Sequence, residues 1–286
     1  MHDVSDPALR DRIIAELEVV DPDTFDAASE TERRIDFLAD YLVRTNTRGY
    51  VLGISGGVDS TVAGRLAQLA CERVRARGGQ ATFVAMRLPY RTQADADDAT
   101  AAVDFIRPDE DMVVNIGESV DALWDASVDA GLPTGNPWDD FVKGNVKARL
   151  RMVAQYAVAG ARGMLVIGTD QAAEAVVGFY TKFGDGACDI TPLTGLTKRR
   201  VKEIGRYLGA SGHLVDKVPT ADLEDDKPMQ ADEEALGVRY EAVDDYLEGR
   251  PVTPAEEDVI TGWYLRTQHK RHLPVTPGTD VDAWGR

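Results

Sequence analysis

Residues 53–60 of the chain read Gly-Ile-Ser-Gly-Gly-Val-Asp-Ser and lie between an apolar run and a helical pattern. Glycine permits a positive φ and lets a phosphate approach the backbone, while the following helix offers unpaired N–H groups and the positive end of its dipole. Ser55 and Ser60 add hydroxyl donors. Asp59 would repel a phosphate, so it indicates a divalent cation, and magnesium prefers oxygen ligands. The stretch predicts a phosphate and magnesium site without the Gly-Lys-Ser/Thr ending of the commonest phosphate loop.

Two further polar segments follow predicted strands. One is 87–93, Arg-Leu-Pro-Tyr-Arg-Thr-Gln, and the other is 168–170, Gly-Thr-Asp. In an open parallel sheet, ligands bind beyond the carboxyl ends of the strands. We therefore expect both segments and the glycine-rich loop to lie along one edge of the sheet.

The elements that must position these residues alternate between strand and helix. Apolar runs of strand length are separated by stretches of helical periodicity, which specifies a parallel sheet covered on both faces. The sequence thus predicts an α/β fold built on a doubly wound, Rossmann-like parallel sheet. Predicted strands cover 50–54, 81–88, 111–116 and 163–167, and predicted helices cover 60–77, 93–105, 118–130 and 138–159.

The N-terminal part of the chain is predicted to be helical. Residues 1–48 are expected to form an extension of two helices, the first over 6–20 and the second opening with a capping box at Ser29. No interdomain linker separates this extension from 49–286, so one domain over 1–286 is expected.

Glycines and prolines interrupt the alternation beyond residue 178. Helices are expected there over 198–208 and 254–271. The segment 219–236 is rich in Asp and Glu and contains two prolines. It is predicted to form a long loop that is either functional or mobile.

Charge and composition restrict the partners. A net charge of −17 repels nucleic acid and anionic membranes, which disfavours a polynucleotide substrate. No apolar run approaches the roughly 18 residues of a membrane span. The N-terminus shows neither the basic start nor the apolar segment of a secretory signal, so a cytoplasmic location is expected. Few lysines beside abundant arginine, alanine and aspartate fit either a high-salt habitat or a high-GC genome.

Cysteine and histidine usage offers little metal or disulfide chemistry. Cys71 and Cys188 lie far apart and form neither a ligand cluster nor a disulfide framework, so each is expected to be a small core residue. The four histidines lack the partners of a zinc site, and no structural zinc is expected.

The loop and several other strings carry a family resemblance. The run 55–60, Ser-Gly-Gly-Val-Asp-Ser, matches the pyrophosphate loop of the N-type ATP pyrophosphatases, which activate a carboxylate or carbonyl oxygen as an adenylate. From about Thr31 to the C-terminus, the chain resembles the ammonia-dependent NAD synthetases, whose fold is of the adenine nucleotide alpha hydrolase kind. The strings are RLPYRTQ at 87–93, GNVKAR at 144–149, GTDQAAEA at 168–175, FYTKFGDG at 179–186, PLTGLTKRR at 192–200, PTADLEDDKP at 219–228, DDYLEG at 244–249 and HKR at 269–271.

The resemblance implies roles for individual residues. Asp59 and Glu174 would hold magnesium, and Asp59, Asp185 and Asp189 are the expected catalytic residues. The residues expected to contact ATP are Gly53, Ile54, Ser55, Gly56, Gly57, Val58, Asp59, Ser60, Arg87, Thr169, Lys198 and Thr220. The residues expected to hold deamido-NAD are Phe141, Arg149, Lys182, Asp189, His269 and Lys270.

The reaction implied by the resemblance is the final step of NAD biosynthesis. Deamido-NAD would be amidated with ammonia through a nicotinyl-adenylate, giving NAD, AMP and pyrophosphate. The glycine-rich loop would hold the leaving pyrophosphate, so a lysine poised for γ-phosphoryl transfer is not needed. Asp185 and Asp189 are candidates for guiding ammonia, and Asp189 would accept its proton. The family forms homodimers, and the chain is expected to lack a fused glutaminase domain.

Two positions depart from the family pattern. Gln171 stands where histidine is expected, and Arg91 stands where glycine is usual.

Two other functions stay open. One alternative is another adenylating ATP pyrophosphatase, such as a tRNA-thiolating one, which the negative charge and the lack of Cys-x-x-Cys oppose. The other is a non-catalytic nucleotide-binding module, which the intact pair Asp59 and Glu174 opposes.

Overall fold

The structure of the chain is a computed structural model that describes residues 7–91, 96–218, 220–221, 230–272 and 274–279. Four parallel strands form the central sheet, in the order β3-β2-β1-β4. An isolated parallel bridge between Ile167 and Ile190 continues the β4 edge. The strands are β1 (Gly49–Gly53), β2 (Thr82–Arg87), β3 (Glu110–Val113) and β4 (Leu165–Val166).

Successive residues of the strands pack on opposite faces of the sheet, as the period of two requires. On β1, Tyr50 and Leu52 belong to one buried cluster, whereas Val51 belongs to another. On β2, Phe83 faces the first cluster and Val84 the second. Both faces are therefore covered, which confirms the predicted doubly wound parallel sheet.

The helices surround this sheet, and two short strands form a separate antiparallel pair, β5 (Thr220–Ala221) with β6 (Gln230–Ala231). The helices are α1 (Pro7–Glu16), α2 (Ala27–Thr45), α3 (Val58–Ala76), α4 (Ala96–Ile106), α5 (Gly117–Asp129), α6 (Asp139–Arg162), α7 (Ala172–Val177), α8 (Lys198–Tyr207), α9 (Gly212–Val215), α10 (Asp232–Leu236), α11 (Tyr240–Leu247), α12 (Pro254–Arg266) and α13 (Gln268–Arg271). Among the described residues, no helix combines the length and apolarity needed to cross a membrane.

Two predicted features of the N-terminal extension are wrong. The first helix ends at Glu16 rather than residue 20, because Glu18 adopts a left-handed backbone with φ of 53°. The second helix opens at Asp26, whose carboxylate accepts the Ser29 N–H at 2.8 Å, so Ser29 is not the cap. Asp26 caps the helix in place of Ser29, and aspartate is among the residues most favoured at the N-cap.

The C-terminal half contains more helix than the sequence predicted. The elements α7, α9, α10 and α11 are absent from the prediction, and α10 occupies the end of the expected loop 219–236. The expected helix 254–271 divides at Thr267, whose hydroxyl donates back to the Trp263 carbonyl at 2.7 Å. Such back-bonding weakens the helical pattern. Residues 93–95, 219 and 222–229 of the predicted elements lie outside the described part of the chain.

A third buried cluster joins the two ends of the chain. Ile13 of α1, Val176 of α7, Tyr246 of α11 and Tyr264 of α12 all belong to it. Arg10 of α1 strengthens this contact, because its guanidinium donates to the carbonyls of Tyr246, Asp245 and Arg250 at the end of α11. The N-terminal helix is thus packed against the elements near the C-terminus.

Replacing Arg10 tests this link. Arg10→Ala removes three hydrogen bonds from a charged donor and the stacking of its guanidinium 4.7 Å from the Tyr246 ring centroid. We expect the free energy of unfolding in urea to fall by about 2 kcal/mol. Arg12→Ala, an exposed change on the same helix, is the matched control and should stay within about 0.5 kcal/mol of wild type. Equal losses for the two variants would contradict the assigned role of Arg10.

Candidate active site

The candidate site lies where the strand order reverses. β1 pairs with β2 on one side and with β4 on the other. In open α/β sheets, the crevice beyond the carboxyl ends at such a reversal is the usual ligand site. The loop after β1 and the segment after β4 meet at this point, as the sequence predicted.

Two glycines shape the loop between β1 and α3. Gly56 has φ of 81°, and a Cβ there would lie 2.8 Å from the backbone nitrogen of Ala99 and the carbonyl carbon of Asp98. Gly57 is the N-cap of α3 and provides no side-chain cap. The first-turn N–H groups and the positive end of the helix dipole can therefore receive an anion.

The serine hydroxyls of the loop contact one another. Ser60 Oγ donates to the Gly57 carbonyl at 3.1 Å and lies 3.1 Å from Ser55 Oγ. The Gly53 N–H donates to Gln155 Oε1 of α6 at 2.8 Å. These bonds hold the loop between β1 and α3 in place.

Three charged side chains from different elements converge beside this loop. Lys198 Nζ, at the start of α8, donates to Asp59 Oδ2 at 2.6 Å and to Glu174 Oε1 at 2.9 Å. The Lys198 side chain is 4% exposed, against 14% for Asp59 and 18% for Glu174. From the sequence we expected Asp59 and Glu174 to lie close together, and both carboxylates contact the same amine. The sequence did not anticipate that Lys198 bridges them.

The electrostatics of this cluster require a cation between the two acids. Burial alone would lower the pKa of Lys198, but Asp59 and Glu174 outweigh it and hold that pKa well above its usual value. Burial raises the pKa of Glu174, and Lys198 opposes this only in part. The Lys198 amine is therefore protonated, and its charge lowers the pKa of Glu174 against the effect of burial.

Magnesium fits the same two carboxylates. Asp59 Oδ1 is buried and has no hydrogen-bond partner among the described residues, which leaves one lone-pair direction for a ligand. Within the described ranges, no group of three or more His, Cys, Asp or Glu side chains could hold a metal ion. Magnesium is commonly held by one or two carboxylates together with substrate phosphates and waters, so the pair matches that pattern.

Gln171, where the family pattern expects histidine, caps the helix that carries Glu174. Its side-chain oxygen accepts the Ala173 N–H at 2.6 Å, and the residue is 1% exposed. Glu174 lies in the first turn of this helix, α7. The departure at Gln171 thus supplies a neutral N-cap that fixes the helix start.

Two acids beside the cluster are strongly desolvated. Burial raises the pKa of Asp170 to about 7, and the charges of Asp185 and Asp59 add to this. Asp170 Oδ1 is buried without a partner in the described structure. The Asp185 residue as a whole is exposed, yet nearby protein atoms desolvate its carboxyl and raise its pKa. Asp185 Oδ1 accepts the Thr181 N–H at 2.8 Å.

Asp189, the expected proton acceptor, already receives two donors. Its Oδ2 accepts the Val166 N–H at 2.7 Å, and its Oδ1 accepts the Tyr156 hydroxyl at 3.3 Å. Burial and the nearby Asp189 charge raise the pKa of Tyr156 to about 12, so the phenol keeps its proton. These bonds hold the Asp189 carboxylate beside β4 and use part of its capacity to accept hydrogen bonds.

The residues expected to hold deamido-NAD lie on α6, on the segment after α7 and on α13. Arg149 donates through Nε and Nη2 to the Lys182 carbonyl, at 3.3 and 3.2 Å. Lys270 Nζ donates to two carbonyls, those of Gly178 and Tyr180, both at 2.7 Å. His269 is exposed beside Lys270, and Phe141 is 50% exposed on α6.

The remaining expected ATP contacts are less closely grouped. Arg87 forms an ion pair with Asp111 across the ends of β2 and β3, at 2.5 Å. Thr169 lies directly after β4, near the loop edge. The side chain of Thr220 lies outside the described residues.

Arg91, where glycine is usual, keeps the backbone of a glycine. Its φ is 55°, in the left-handed region. Its guanidinium forms an ion pair with Asp121 at 2.6 Å. The substitution therefore retains the turn at a local cost in strain and adds a surface ion pair.

Neither cysteine has the surroundings of a nucleophile. Cys71 is buried, and Cys188 is partly buried. Burial raises the pKa of Cys71 to about 12 and that of Cys188 to about 11. Both are therefore thiols at neutral pH, and the reactive form of cysteine is the thiolate.

The reversal in the sheet, the glycine-rich loop at a helix start and the paired carboxylates define an α/β nucleotide-binding protein. Comparison with known proteins then gives the family. The family model described as NAD synthase matches residues 30–274. The chain belongs to this family, which confirms the resemblance of its motifs.

Individual relatives agree with this assignment. The chain is 59% identical, over 94% of its length and 98% of the relative's, to an NH(3)-dependent NAD(+) synthetase from Streptomyces coelicolor. It is similar to the crystal structure of NAD+ synthetase from Burkholderia pseudomallei, with a TM-score of 0.80 and 54% identity, covering 93% and 97% of the two chains. The structure of NMN synthetase from Francisella tularensis has a TM-score of 0.77 at 35% identity, covering 89% and 100%.

The geometry of Gly56 predicts a sharp difference between two neighbouring variants. Gly56→Ala places a Cβ against the α4 backbone at a φ of 81°. We therefore expect the free energy of unfolding to fall by about 1–3 kcal/mol and the affinity for ATP to fall at least about tenfold. Gly57→Ala is the control, because Gly57 has φ of −77° and its Cβ would only touch Ser55 Oγ at 3.4 Å. Urea unfolding and fluorescence titration with ATP measure both effects. Similar unfolding energies for the two variants would contradict the close contact.

Proposed function

We propose that the chain catalyses the ATP-dependent amidation of deamido-NAD with ammonia, giving NAD, AMP and pyrophosphate through a nicotinyl-adenylate. The observation that carries the proposal is the cluster of Asp59, Glu174 and Lys198 beside an anion-binding loop at the switch point of the sheet. The proposed substrate is inferred from membership of the NAD synthase family. The names of the relatives agree with ammonia as the nitrogen source.

The proposed magnesium ligands are Asp59 and Glu174. When bound, magnesium would neutralise the phosphate charge and supply Lewis acidity at the reacting phosphoryl group. The unpartnered Asp59 Oδ1 supports this assignment. Lys198, which contacts both carboxylates, can add a second positive charge to the phosphates.

The first proposed step is formation of the adenylate. The nicotinate carboxylate is already an anion and attacks the α-phosphorus without a base. The loop over Gly53, Ile54, Ser55, Gly56, Gly57, Val58, Asp59 and Ser60 would hold the leaving pyrophosphate through N–H groups at the start of α3. Because the loop stabilises a leaving group, the absence of a γ-phosphate lysine is consistent with attack at the α-phosphorus.

Substrate contacts are proposed for the residues around the crevice. Arg87, Thr169, Lys198 and Thr220 would contact ATP. Phe141, Arg149, Lys182, Asp189, His269 and Lys270 would hold deamido-NAD. Because the chain carries a charge of −17, these local cations must offset the general repulsion of two polyanionic substrates.

The second proposed step is attack of ammonia on the activated carbonyl. Ammonium must lose a proton to become a nucleophile, and a carboxylate of raised pKa is a better acceptor than an ordinary one. Asp185 has this raised pKa, whereas Asp189 already accepts the Val166 N–H and the Tyr156 hydroxyl. The raised pKa of Asp185 supports our assignment of this residue as the proton acceptor, and we assign Asp189 to positioning substrate.

The assembly and location are also proposed. We propose a single domain over 1–286 and a cytoplasmic homodimer without nucleic-acid or membrane partners. The exposed apolar side chains of α6 support an interface, since Trp138, Phe141 and Val153 are 68%, 50% and 50% exposed. Two of these rings contact edge to face at 6.3 Å, and aromatic groups are enriched in interfaces.

Product analysis tests the reaction. With ATP, magnesium, ammonium and deamido-NAD, we expect equal amounts of NAD, AMP and pyrophosphate, resolved by chromatography. If the nicotinate carboxylate carries ¹⁸O, one labelled oxygen should appear in AMP, because the oxygen that attacks phosphorus leaves with it. Asp59→Asn should lower kcat/KM by at least about 100-fold. Formation of ADP, or AMP free of label, would refute the mechanism.

The same assay separates related substrates. Nicotinate mononucleotide, half of the dinucleotide, addresses the likeness to an NMN synthetase. We expect deamido-NAD to be preferred in kcat/KM by at least about tenfold, since the second nucleotide adds binding energy. Glutamine should not replace ammonium, because both cysteines are protonated thiols. A reversed nucleotide preference would transfer the proposal to the mononucleotide.

The choice between Asp185 and Asp189 predicts different responses to ammonium. Asp185→Asn should raise the KM for ammonium by at least about tenfold while leaving the KM for ATP within about twofold, because only the proton acceptor is lost. Asp189→Asn, the matched control, should change the KM for ammonium by less than about threefold. Initial rates over a range of ammonium concentrations give both values. The opposite ranking would assign the role to Asp189.

A further inference from the structure

The segment 244–249, Asp-Asp-Tyr-Leu-Glu-Gly, has no role in the proposed chemistry, yet it contacts the helix that carries Lys198. Asp244 of α11 is 3% exposed. Its Oδ1 accepts the backbone N–H of Lys198 at 3.0 Å, and its Oδ2 accepts the backbone N–H of Arg199 at 2.7 Å. The first two N–H groups of α8, which have no partner within a helix, are thus satisfied from another helix.

These bonds fix Lys198 at both ends. Asp244 holds its backbone, and Asp59 and Glu174 hold its amine. The Tyr240 ring, one turn before Asp244 on α11, lies 4.8 Å from the amine. A long lysine side chain normally has many rotamers, and this arrangement restricts it to one position.

Two neighbouring acids, Asp245 of α11 and its C-cap Glu248, contact other groups at the start of α8. Asp245 forms an ion pair with the Arg199 side chain at 2.8 Å. Glu248 accepts the hydroxyl of Thr197, the N-cap of α8, at 2.8 Å and pairs with Arg200 at 3.0 Å. Only Asp244, among the described side chains, accepts the N–H of Lys198 itself. Asp245 therefore offers a control of equal charge that leaves this bond intact.

We propose that Asp244 is a positioning residue that holds the Lys198 amine between Asp59 and Glu174, where it competes with the divalent cation for the two carboxylates. The inference rests on the proposed function, because it takes Asp59 and Glu174 as the magnesium pair. The Lys198 amine lies between two carboxylates that would otherwise repel each other, and its charge offsets part of that repulsion. Asp59 and Glu174 would hold the cation, and Lys198 would then be available to contact the phosphates.

Manganese binding to the nucleotide-free enzyme tests this competition without turnover. Electron paramagnetic resonance would give the dissociation constant of Mn²⁺ at pH 8, above the pKa of Asp244, which burial raises to about 7. Lys198→Met removes the competitor and should tighten Mn²⁺ binding by about tenfold. Asp244→Asn should tighten it by about threefold, since the amine is held less firmly. Asp245→Asn should stay within about 1.5-fold of wild type.

The direction of the change separates positioning from simple loosening. A site that merely loses order binds metal more weakly, so weaker or unchanged Mn²⁺ binding in Asp244→Asn would overturn the proposal. If Asp244→Asn does not fold, Asp244→Ser, whose hydroxyl still accepts one N–H bond, takes its place under the same criteria.

A double-mutant cycle adds a second test in the active enzyme. Asp244→Asn should lower kcat/KM for ATP about tenfold in wild type but less than about twofold in the Lys198→Met background, because it acts through that amine. Its effect on Tm should be equal in both backgrounds. Equal activity losses in both would indicate a purely structural role. Wild type that makes no NAD would refute the proposed function, whereas the manganese measurements would still decide the role of Asp244.

Discussion

The arrangement of this molecule depends on one ammonium group between two carboxylates. Lys198 Nζ joins a loop after β1, the first turn of α7 and the first turn of α8, three segments far apart in the sequence. Each partner is mostly buried, so removing Lys198 would leave two carboxylates without a counter-charge in a medium that solvates them poorly. The surrounding helices therefore have to deliver all three side chains to the same place.

The same constraint accounts for how an acidic chain can handle polyanions. The charge of −17 is distributed over the whole sequence, whereas the crevice contains the N-terminus of α3 and the Lys198 amine. Long-range repulsion is screened within about 10 Å at ordinary ionic strength, so short-range contacts decide binding. Salt would thus assist the approach of nucleotides while leaving the buried contacts largely intact.

Sequence reasoning recovered the sheet and the position of the loop before α3, for physical reasons. Strands buried on both faces produce apolar runs, which made β1 predictable. A glycine pair directly before a helix is typical of an anion-binding loop, so the loop that contains Asp59 could be predicted as well. The helices α7 and α11 were not predicted, because each has too few turns to show a helical period of apolar residues. The bridge from Lys198 to Asp59 and Glu174, and the support from Asp244, join residues 24 to 139 positions apart, which no local pattern encodes.

The contact of Arg10 with α11 has a consequence for how the molecule is made. It joins residues 235 or more positions apart, and α11 in turn holds the start of α8. A nascent chain on the ribosome can form β1 and its glycine loop early, but it cannot fix Lys198 until the segment around 244 has been synthesised. Contacts of such long range are slow to form. The crevice around Lys198 therefore forms later than β1 and its glycine loop.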